Sequence, residues 1–152
     1  MKQKSLFKDT AQPRSESGAN AVTANIDGGA RGNPGPAAYG VVIRNPKGEV
    51  VAELSAYLGH QTNNFAEYSG LLAALDYAMR EKVLQLKVRS DSELLVRQMK
   101  GVYKVKNPAL QELFRQAQSL VRKLEHFSIE HVFREQNKEA DRLVNKVLDG
   151  RK

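Results

Sequence analysis

Hydrophobic and polar residues alternate along several short stretches of the chain, and each stretch predicts a β-strand. In residues 21–27, the apolar side chains Val22, Ala24 and Ile26 are separated by polar ones, which is the period of two of a half-buried strand. Gly, Pro and Asn clusters separate this stretch from the next two and favour consecutive hairpins. The predicted strands cover residues 21–27, 39–44, 49–57, 84–91 and 127–133.

Apolar residues spaced three or four apart predict helices among the later strands. One such stripe consists of Phe65, Tyr68, Leu72, Leu75 and Met79. Residues 62–64 before it are a Thr and two Asn, which favour a helix N-terminus. Asn107 and Pro108 are a cap and first-turn pair of the same kind. The predicted helices cover residues 62–81, 92–100, 107–125 and 138–148.

The order of these elements indicates an α/β domain. Strands joined by short turns pair antiparallel, and strands joined through helices tend to run parallel. The prediction is therefore a mixed five-stranded sheet with helices on both faces, whose ligands bind beyond the carboxyl ends of the parallel strands. Residues 1–20 are polar without a usable period, so we expect a flexible N-terminal tail followed by one domain over residues 21–150.

Charge is the informative part of the composition. The 152 residues include 24 Lys and Arg against 17 Asp and Glu, a net charge of +7. A basic domain favours polyanions such as nucleic acid, although the same charge also serves solubility. Cysteine is absent, which excludes disulfides, thiolate metal sites and cysteine nucleophiles. No apolar run approaches the roughly 20 residues of a membrane span, and the N-terminus lacks a signal-peptide pattern. We therefore expect a cytoplasmic protein that does not bind membranes.

Four acidic residues occupy positions that suggest a metal site: Asp27, Glu67, Asp91 and Asp141. Asp27 and Asp91 are predicted to end the first and fourth strands, so they lie side by side if those strands are neighbours. A divalent cation with oxygen ligands is the natural means of holding several carboxylates together. Alternatively, acids near helix N-termini only complement the helix dipole. That alternative suits Glu67 and Asp141 better than the two acids at strand ends.

Four segments that carry these acids resemble the successive motifs of type 1 ribonuclease H, in that family's order and spacing. They are NIDGGARGNPGPAAYGVVI, TNNFAEYSGLLAAL, VRSDSELLVRQMKG and REQNKEADRLVN. The resemblance covers residues 21–150 and implies the ribonuclease H fold, with the sheet in the order 3-2-1-4-5. It also implies an endonuclease that cuts the RNA strand of RNA/DNA hybrids.

By this resemblance, Asp27, Glu67, Asp91 and Asp141 are both the catalytic and the metal-binding residues. The expected cofactor is a pair of Mg²⁺ ions, with Mn²⁺ as a substitute, and the expected products carry 3′-hydroxyl and 5′-phosphate ends. We expect Asp27 to bridge the two ions and Asp91 and Glu67 to serve the leaving-group side. Asp141 then completes the ligands of the ion that carries the attacking water. We expect the protein to act as a monomer.

The resemblance also places substrate contacts. The RNA strand is expected to meet Gly28, Asn33, Asn63 and Asn64, where a reader of the 2′-hydroxyl is needed. The alternative for these asparagines is a local role, as a turn former for Asn33 and a helix cap for Asn63 or Asn64. The DNA strand is expected to meet a concentration of six positive charges, with Tyr103 as a group that stacks on a sugar, and a solvated basic face is the alternative. The six are Lys87, Arg89, Arg97, Lys100, Lys104 and Lys106.

The chain departs from the family pattern in two places. Many relatives carry a basic helix and loop after the short helix, whereas here only residues 101–107 separate it from the next helix. Its loss leaves double-stranded RNA open as a second substrate. Relatives also often place a histidine before the last helix, where this chain has residues 134–137, Arg-Glu-Gln-Asn. Glu135 is one candidate to take the place of that histidine.

The predicted tail contains a short motif of its own. Gln3, Leu6 and Phe7 belong to a segment that resembles the peptide by which bacterial replication proteins bind the sliding clamp. A solvated tail without a partner is the alternative. Two other functions remain alternatives for the whole domain: an inactive hybrid-binding adaptor, or a DNA-directed phosphodiesterase such as an integrase or a junction resolvase.

Overall fold

In a computed structural model, which describes residues 20–151, the elements follow the predicted order. They are β1 (Ala21–Ala30), β2 (Gly35–Arg44), β3 (Val50–Gln61), α1 (Asn63–Arg80), β4 (Gln85–Ser90), α2 (Glu93–Met99), α3 (Pro108–Val121), β5 (His126–His131) and α4 (Lys138–Asp149). A 3₁₀ turn at Arg134–Gln136 precedes α4. Within residues 20–151, no helix is long and apolar enough to cross a membrane. Residues 1–19 of the predicted tail lie outside the described residues.

The five strands form one mixed sheet in the order β3-β2-β1-β4-β5, which confirms the predicted order 3-2-1-4-5. The hairpin strands β1, β2 and β3 pair antiparallel, and β4 lies parallel to both β1 and β5. This division follows from the connections, since short turns reverse the chain whereas a crossover through a helix returns it in the same direction. The central strand β1 therefore has an antiparallel neighbour on one side and a parallel one on the other.

The first hairpin is longer than the hydrophobic pattern predicts. Pairing continues to Ala30 opposite Ala37, and the Arg31 amide donates to the Pro36 carbonyl at 2.9 Å. The extra residues are mostly Gly and Ala, whose small side chains carry no alternation, although their backbone groups still pair. Conversely, the predicted ends of α3 at residue 125 and of β5 at residue 133 are too late by four and two residues, since these elements end at Val121 and His131.

The helices cover both faces of the sheet, as predicted. On one face, Ala24, Ile26, Val41 and Ile43 belong to the main core, which also contains buried residues of α1, α2 and α3. On the other face, Ala38 packs against Val144 and Leu148 of α4, and these residues form a second and smaller core. The strands β1 and β2 therefore lie between the two layers, with α1 packed on one face and α4 on the other.

Two glycines allow these helices to approach the sheet closely. A methyl group at Gly28 would lie 2.5 Å from the Glu67 amide nitrogen of α1, and one at Gly40 would lie 2.5 Å from the Ala140 carbonyl oxygen of α4. Both separations are far below ordinary van der Waals contact, so a larger residue at either position forces a helix away. Gly40 is paired with Asp27 across the β1–β2 hairpin, so both close approaches occur beside that aspartate.

A buried asparagine attaches the start of α4 to the central strand. Asn137 is 1% exposed, and its side-chain amide donates to the Ile26 carbonyl at 2.8 Å. Its side-chain oxygen accepts a hydrogen bond from Asn25 at 3.0 Å. Buried polar groups are stable only with such partners. The pair therefore fixes α4 against β1 immediately next to Asp27.

Replacement of this anchor should destabilise the protein strongly. Asn137→Ala is expected to lower the free energy of unfolding by about 2–3 kcal/mol, because it deprives a buried amide and a buried carbonyl of a partner. The measurement is urea unfolding followed by circular dichroism. Lys146→Ala, at an exposed position of the same helix, is the control and should change the free energy by less than about 0.5 kcal/mol. Equal effects of the two substitutions would contradict the anchor.

Candidate metal centre

Asp27 occupies the interior of β1 and does not end it, which corrects the prediction from the hydrophobic pattern. The reason is the long first hairpin, which continues three residues beyond Asp27 to Ala30. Asp27 is 9% exposed. Ser90, the last residue of β4, pairs with Ile26 in parallel register, so the next residue, Asp91, comes level with Asp27. The expectation that Asp27 and Asp91 lie side by side is therefore met, although only Asp91 follows a strand end.

Three acidic side chains converge at this point. One carboxylate oxygen each of Asp27, Glu67 and Asp91 lies within 4.8 Å of the other two. The three belong to β1, α1 and the end of β4, which are distant in sequence. Glu67 reaches the others because Gly28 allows α1 to lie close to the sheet. No single element could supply this arrangement, so it depends on the complete central layer.

The fourth predicted acid stands beside this group. Asp141 of α4 lies close enough to Asp27 to raise the pKa of that carboxyl, and it lines the same cleft as the other three acids. On its other side, Asp141 accepts a hydrogen bond from Asn145 at 3.3 Å. Asn145 in turn accepts a hydrogen bond at 3.4 Å from Arg31 in the β1–β2 turn. All four predicted acids therefore share one cleft, with Asp27 at its buried side.

The electrostatics of the cleft resist full ionisation. Burial, with the nearby charges of Asp91, Asp141 and Glu67, raises the pKa of Asp27 to about 8. Burial also raises the pKa of Glu67 to about 7, against a hydrogen bond with Ser92 that lowers it. The pKa of Asp91 is raised by burial as well. With a pKa of about 8, the Asp27 carboxyl keeps its proton at neutral pH when no cation is nearby.

This donor set suits a hard divalent cation. Magnesium and similar ions take oxygen ligands, carboxylates above all. A cation among these oxygens would offset the repulsion that keeps Asp27 protonated, and would thereby lower its pKa. Glu67 and Asp91 can bind from one side of Asp27 and Asp141 from another. The residues present therefore fit the predicted cofactor.

Two cationic groups near Asp91 were not predicted. Arg134, in the 3₁₀ turn before α4, lines the cleft and lowers the pKa of Asp91 relative to burial alone. Arg134 lies next to Glu135, which the sequence analysis named as a candidate to replace the histidine that relatives often carry here. His131, the last residue of β5, also lowers the pKa of Asp91. The signal for His131 was available, since β5 is parallel to β4 and its last residue pairs with Ser90.

The asparagines expected to contact RNA hold the β1–β2 turn against α1. The Asn63 side-chain oxygen accepts from the Ala30 amide at 2.8 Å, and the Asn33 side-chain oxygen accepts from the Asn63 amide at 3.0 Å. The helix cap is Thr62, whose hydroxyl accepts from the Phe65 amide, and so neither Asn63 nor Asn64 caps α1. The helix-cap alternative for Asn63 and Asn64 is therefore wrong, and the side-chain oxygens of Asn33 and Asn63 instead join the turn to the start of α1.

The basic residues expected to contact DNA cluster at the end of α2 and in the loop after it. Arg97 pairs with Glu93 at 2.8 Å, and its guanidinium lies 5.5 Å from the centre of the Tyr103 ring. Lys100 and Lys104 are exposed nearby in the chain. Only residues 100–107 separate α2 from α3, so the short connection read from the sequence is confirmed. Gln3, Leu6 and Phe7, expected to bind a clamp, lie outside the described residues.

The chain matches known proteins over this whole domain. A family model described as reverse transcriptase-like matches residues 25–147. A bifunctional protein of Mycobacterium tuberculosis is 45% identical over 129 residues, which are 84% of this chain and 35% of that protein. The chain thus spans about a third of the length of the first curated relatives it matches. Ribonuclease HI of Halobacterium salinarum is 41% identical over 84% of this chain and 64% of its own.

Solved structures agree with these matches. RNase H1 of Halobacterium salinarum superposes with a TM-score of 0.83 at 40% identity, covering 86% of this chain and 98% of that one. The enzyme LC11-RNase H1, solved in complex with an RNA/DNA hybrid, gives a TM-score of 0.80 at 47% identity over 85% of this chain and 97% of its own. With a family model that covers most of its length and ribonuclease structures that align almost completely, this chain belongs to the type 1 ribonuclease H family.

Proposed function

We propose that this chain is a metal-dependent endoribonuclease that hydrolyses the RNA strand of RNA/DNA hybrids. The observation that carries the proposal is the convergence of Asp27, Glu67 and Asp91 within 4.8 Å in a ribonuclease H fold, with Asp141 in the same cleft. A binding module has no need for four acids that would face phosphates. The complex of LC11-RNase H1 with a hybrid supports the choice of substrate.

Each acid of the cleft has a proposed task. Two Mg²⁺ ions, when bound, supply the charge that activates a water molecule and stabilises the leaving oxygen, and Mn²⁺ can take their place. Asp27, the most buried of the four, would be a ligand to both ions, Glu67 and Asp91 would hold the ion on the leaving-group side, and Asp141 would hold the ion on the side of the attacking water. Hydrolysis in this arrangement leaves a 3′-hydroxyl and a 5′-phosphate.

Arg134 is suited to help at the same place. Its positive charge already acts on Asp91, and it lines the cleft where the scissile phosphate would enter. A guanidinium there can hold a phosphate oxygen with two donors. It cannot act as a general base, because it remains protonated at all working pH values. Its role is therefore to bind the phosphate.

Substrate choice depends on two surfaces. The side-chain NH₂ groups of Asn33, Asn63 and Asn64, with the backbone at Gly28, are proposed to contact the minor groove, where the 2′-hydroxyl distinguishes RNA from DNA. Arg97, Lys100, Tyr103 and Lys104 are proposed to contact the DNA strand. Hydrogen bonds already fix Asn33 and Asn63, so their donors stand in place before the substrate arrives.

The first prediction concerns cleavage. The protein with Mg²⁺ should cut the RNA strand of an end-labelled RNA/DNA hybrid, and Asp91→Asn should reduce the rate by at least about a thousandfold, because a metal ligand is lost. Double-stranded RNA and double-stranded DNA are run beside the hybrid. Asp76→Asn, which removes an exposed acid of α1, is the matched control and should leave the rate unchanged.

Other outcomes of this assay have definite meanings. Cleavage of both RNA substrates would widen the activity to double-stranded RNA, in keeping with the short connection between α2 and α3. Cleavage of DNA alone would favour a DNA-directed phosphodiesterase. Binding of the hybrid without cleavage of any substrate would contradict the enzyme and leave the adaptor.

The second prediction concerns pH and metal. The pKa of Asp27 rises from 3.8 to about 8 on folding, so the folded protein binds more protons than the unfolded one between these values. Stability in EDTA should therefore fall as the pH rises from 5 to 8. Asp27→Asn should be the more stable protein at pH 8, by about 1–3 kcal/mol, while Asp76→Asn should follow the parent.

Saturating Mg²⁺ should stabilise the parent at pH 8 and should have much less effect on Asp27→Asn, because the shared ligand is gone. The measurement is urea unfolding at both pH values with and without the ion. A parent protein whose stability in EDTA is independent of pH would contradict the crowding of charge in the cleft. Equal stabilisation of both proteins by Mg²⁺ would contradict the role of Asp27 as a ligand.

A further inference from the structure

The loop of residues 101–107, between α2 and α3, is held in a defined conformation. Its first residues fold back on α2, where the Val102 and Tyr103 amides donate to the Arg97 carbonyl at 2.8 and 3.3 Å. Val105 packs against the main core, and Lys104 and Lys106 on either side of it are exposed. Tyr103 is 48% exposed. The loop thus has an inner side that packs and an outer side that is aromatic and basic.

Two glutamines from the flanking helices hold this loop from the inside. The side-chain amide of Gln98 in α2 donates to the Lys104 carbonyl at 3.4 Å. That of Gln111 in α3 donates to the Val105 carbonyl at 3.0 Å. The two accepting carbonyls are consecutive in the chain, so the bonds fix the backbone at the place where the basic side chains project outward.

Gln98 also connects the loop to the helix that carries Glu67. It is 6% exposed, and its side-chain oxygen accepts from the Tyr68 hydroxyl at 2.8 Å. Tyr68 of α1 is itself 1% exposed and follows Glu67 in sequence. Burial raises the pKa of Tyr68, so this hydroxyl remains a donor. One buried amide therefore joins α1 to the 101–107 loop.

Packing alone does not require this polar pair. Leu and Phe would fill similar volumes without the desolvation that a buried amide and a buried hydroxyl undergo. The bonds instead fix direction, since an amide places its donor and its acceptor at defined angles. A loop that is ordered before binding loses less conformational entropy when a partner arrives. This smaller entropy loss strengthens binding by the exposed side chains of the loop.

We propose that Gln98 and Gln111 are positioning residues that preform the 101–107 loop as a binding surface for the phosphate backbone of the hybrid. The surface consists of Tyr103, Lys104 and Lys106, with Arg97 beside them. Arg97 lies against the Tyr103 ring and pairs with Glu93, so its position is also set in advance. The inference rests on the proposed function and deepens it, because it assigns the affinity for the hybrid to residues buried beneath the surface.

The experiment measures the salt dependence of hybrid binding in Mg²⁺ by an Asp91→Asn parent, which does not cut its ligand. The test variant adds Tyr68→Phe and Gln98→Leu, so that both polar partners leave the core together and neither remains unsatisfied. Each phosphate contact that is lost lowers the slope of log affinity against log salt by about 0.9. We expect the test variant to bind about fivefold or more weakly and to lose about one unit of slope.

Three further variants isolate the cause. Tyr68→Phe alone keeps the Gln98 bond to the loop and should retain the slope of the parent. Lys104→Ala should lower the slope, and adding it to the test variant should produce less than the sum of the two effects, because both act on one contact. Gln116→Leu changes an exposed glutamine of α3 and should bind as the parent does.

Gln111→Leu releases the same loop without touching the buried pair, so it tests the inference even if the core variant fails to fold. In the cleavage-competent protein, either glutamine variant should raise KM by a larger factor than it lowers kcat. A folded variant with the slope of the parent would overturn the positioning role while leaving the proposed function intact. A parent that binds no hybrid would overturn both.

Discussion

Repulsion among four carboxyl groups is the constraint around which this structure is built. Asp27 is nearly buried and faces three other acids, an arrangement that opposes folding whenever all of them are charged. The protein tolerates it because the surrounding elements fix the acids from several directions at once. Gly28 and Gly40 allow two helices to approach, Asn137 attaches one of them, and the parallel pairing of β1 with β4 brings Asp91 level with Asp27.

The four clustered acids and the proposed substrate contacts are supported differently. The acids project from the central strand, from the residue after its parallel neighbour and from two long helices, all of which depend on the core. The substrate contacts lie on the β1–β2 turn, at the start of α1, on the short α2 and in the loop that follows. Turns can change without loss of the core, so this division permits the substrate surface to vary while the metal centre stays fixed.

Much of this architecture was readable from the sequence. Alternation at Val22, Ala24 and Ile26 and the helical stripe from Phe65 to Met79 reflect burial directly, and together with the connections they predict a mixed sheet with helices on both faces. The order of the strands came from the resemblance to type 1 ribonuclease H. The four acids were suggested by their positions near strand ends and helix starts, and the same resemblance identified them as one set.

The errors and omissions have a common cause. The true extent of β1 was missed because Gly and Ala carry no hydrophobic alternation, and Asp27 was consequently placed at a strand end. Arg134 and His131 were missed because their distance from Asp91 depends on where β4, β5 and the 3₁₀ turn end relative to one another in the folded protein. The bonds from Gln98 and Gln111 to the loop are likewise tertiary, and no spacing along the chain encodes them.

The bond between Asn137 and Ile26 joins residues that are 111 positions apart. A chain is synthesised from its N-terminus at about 5–20 residues per second, so β1, α1 and β4 leave the ribosome well before α4. During that interval the growing chain carries Asp27, Glu67 and Asp91 without the helix that brings Asp141. The cluster of four acids is therefore completed only when α4 emerges, and until then a nascent chain holds three of the acids without the fourth.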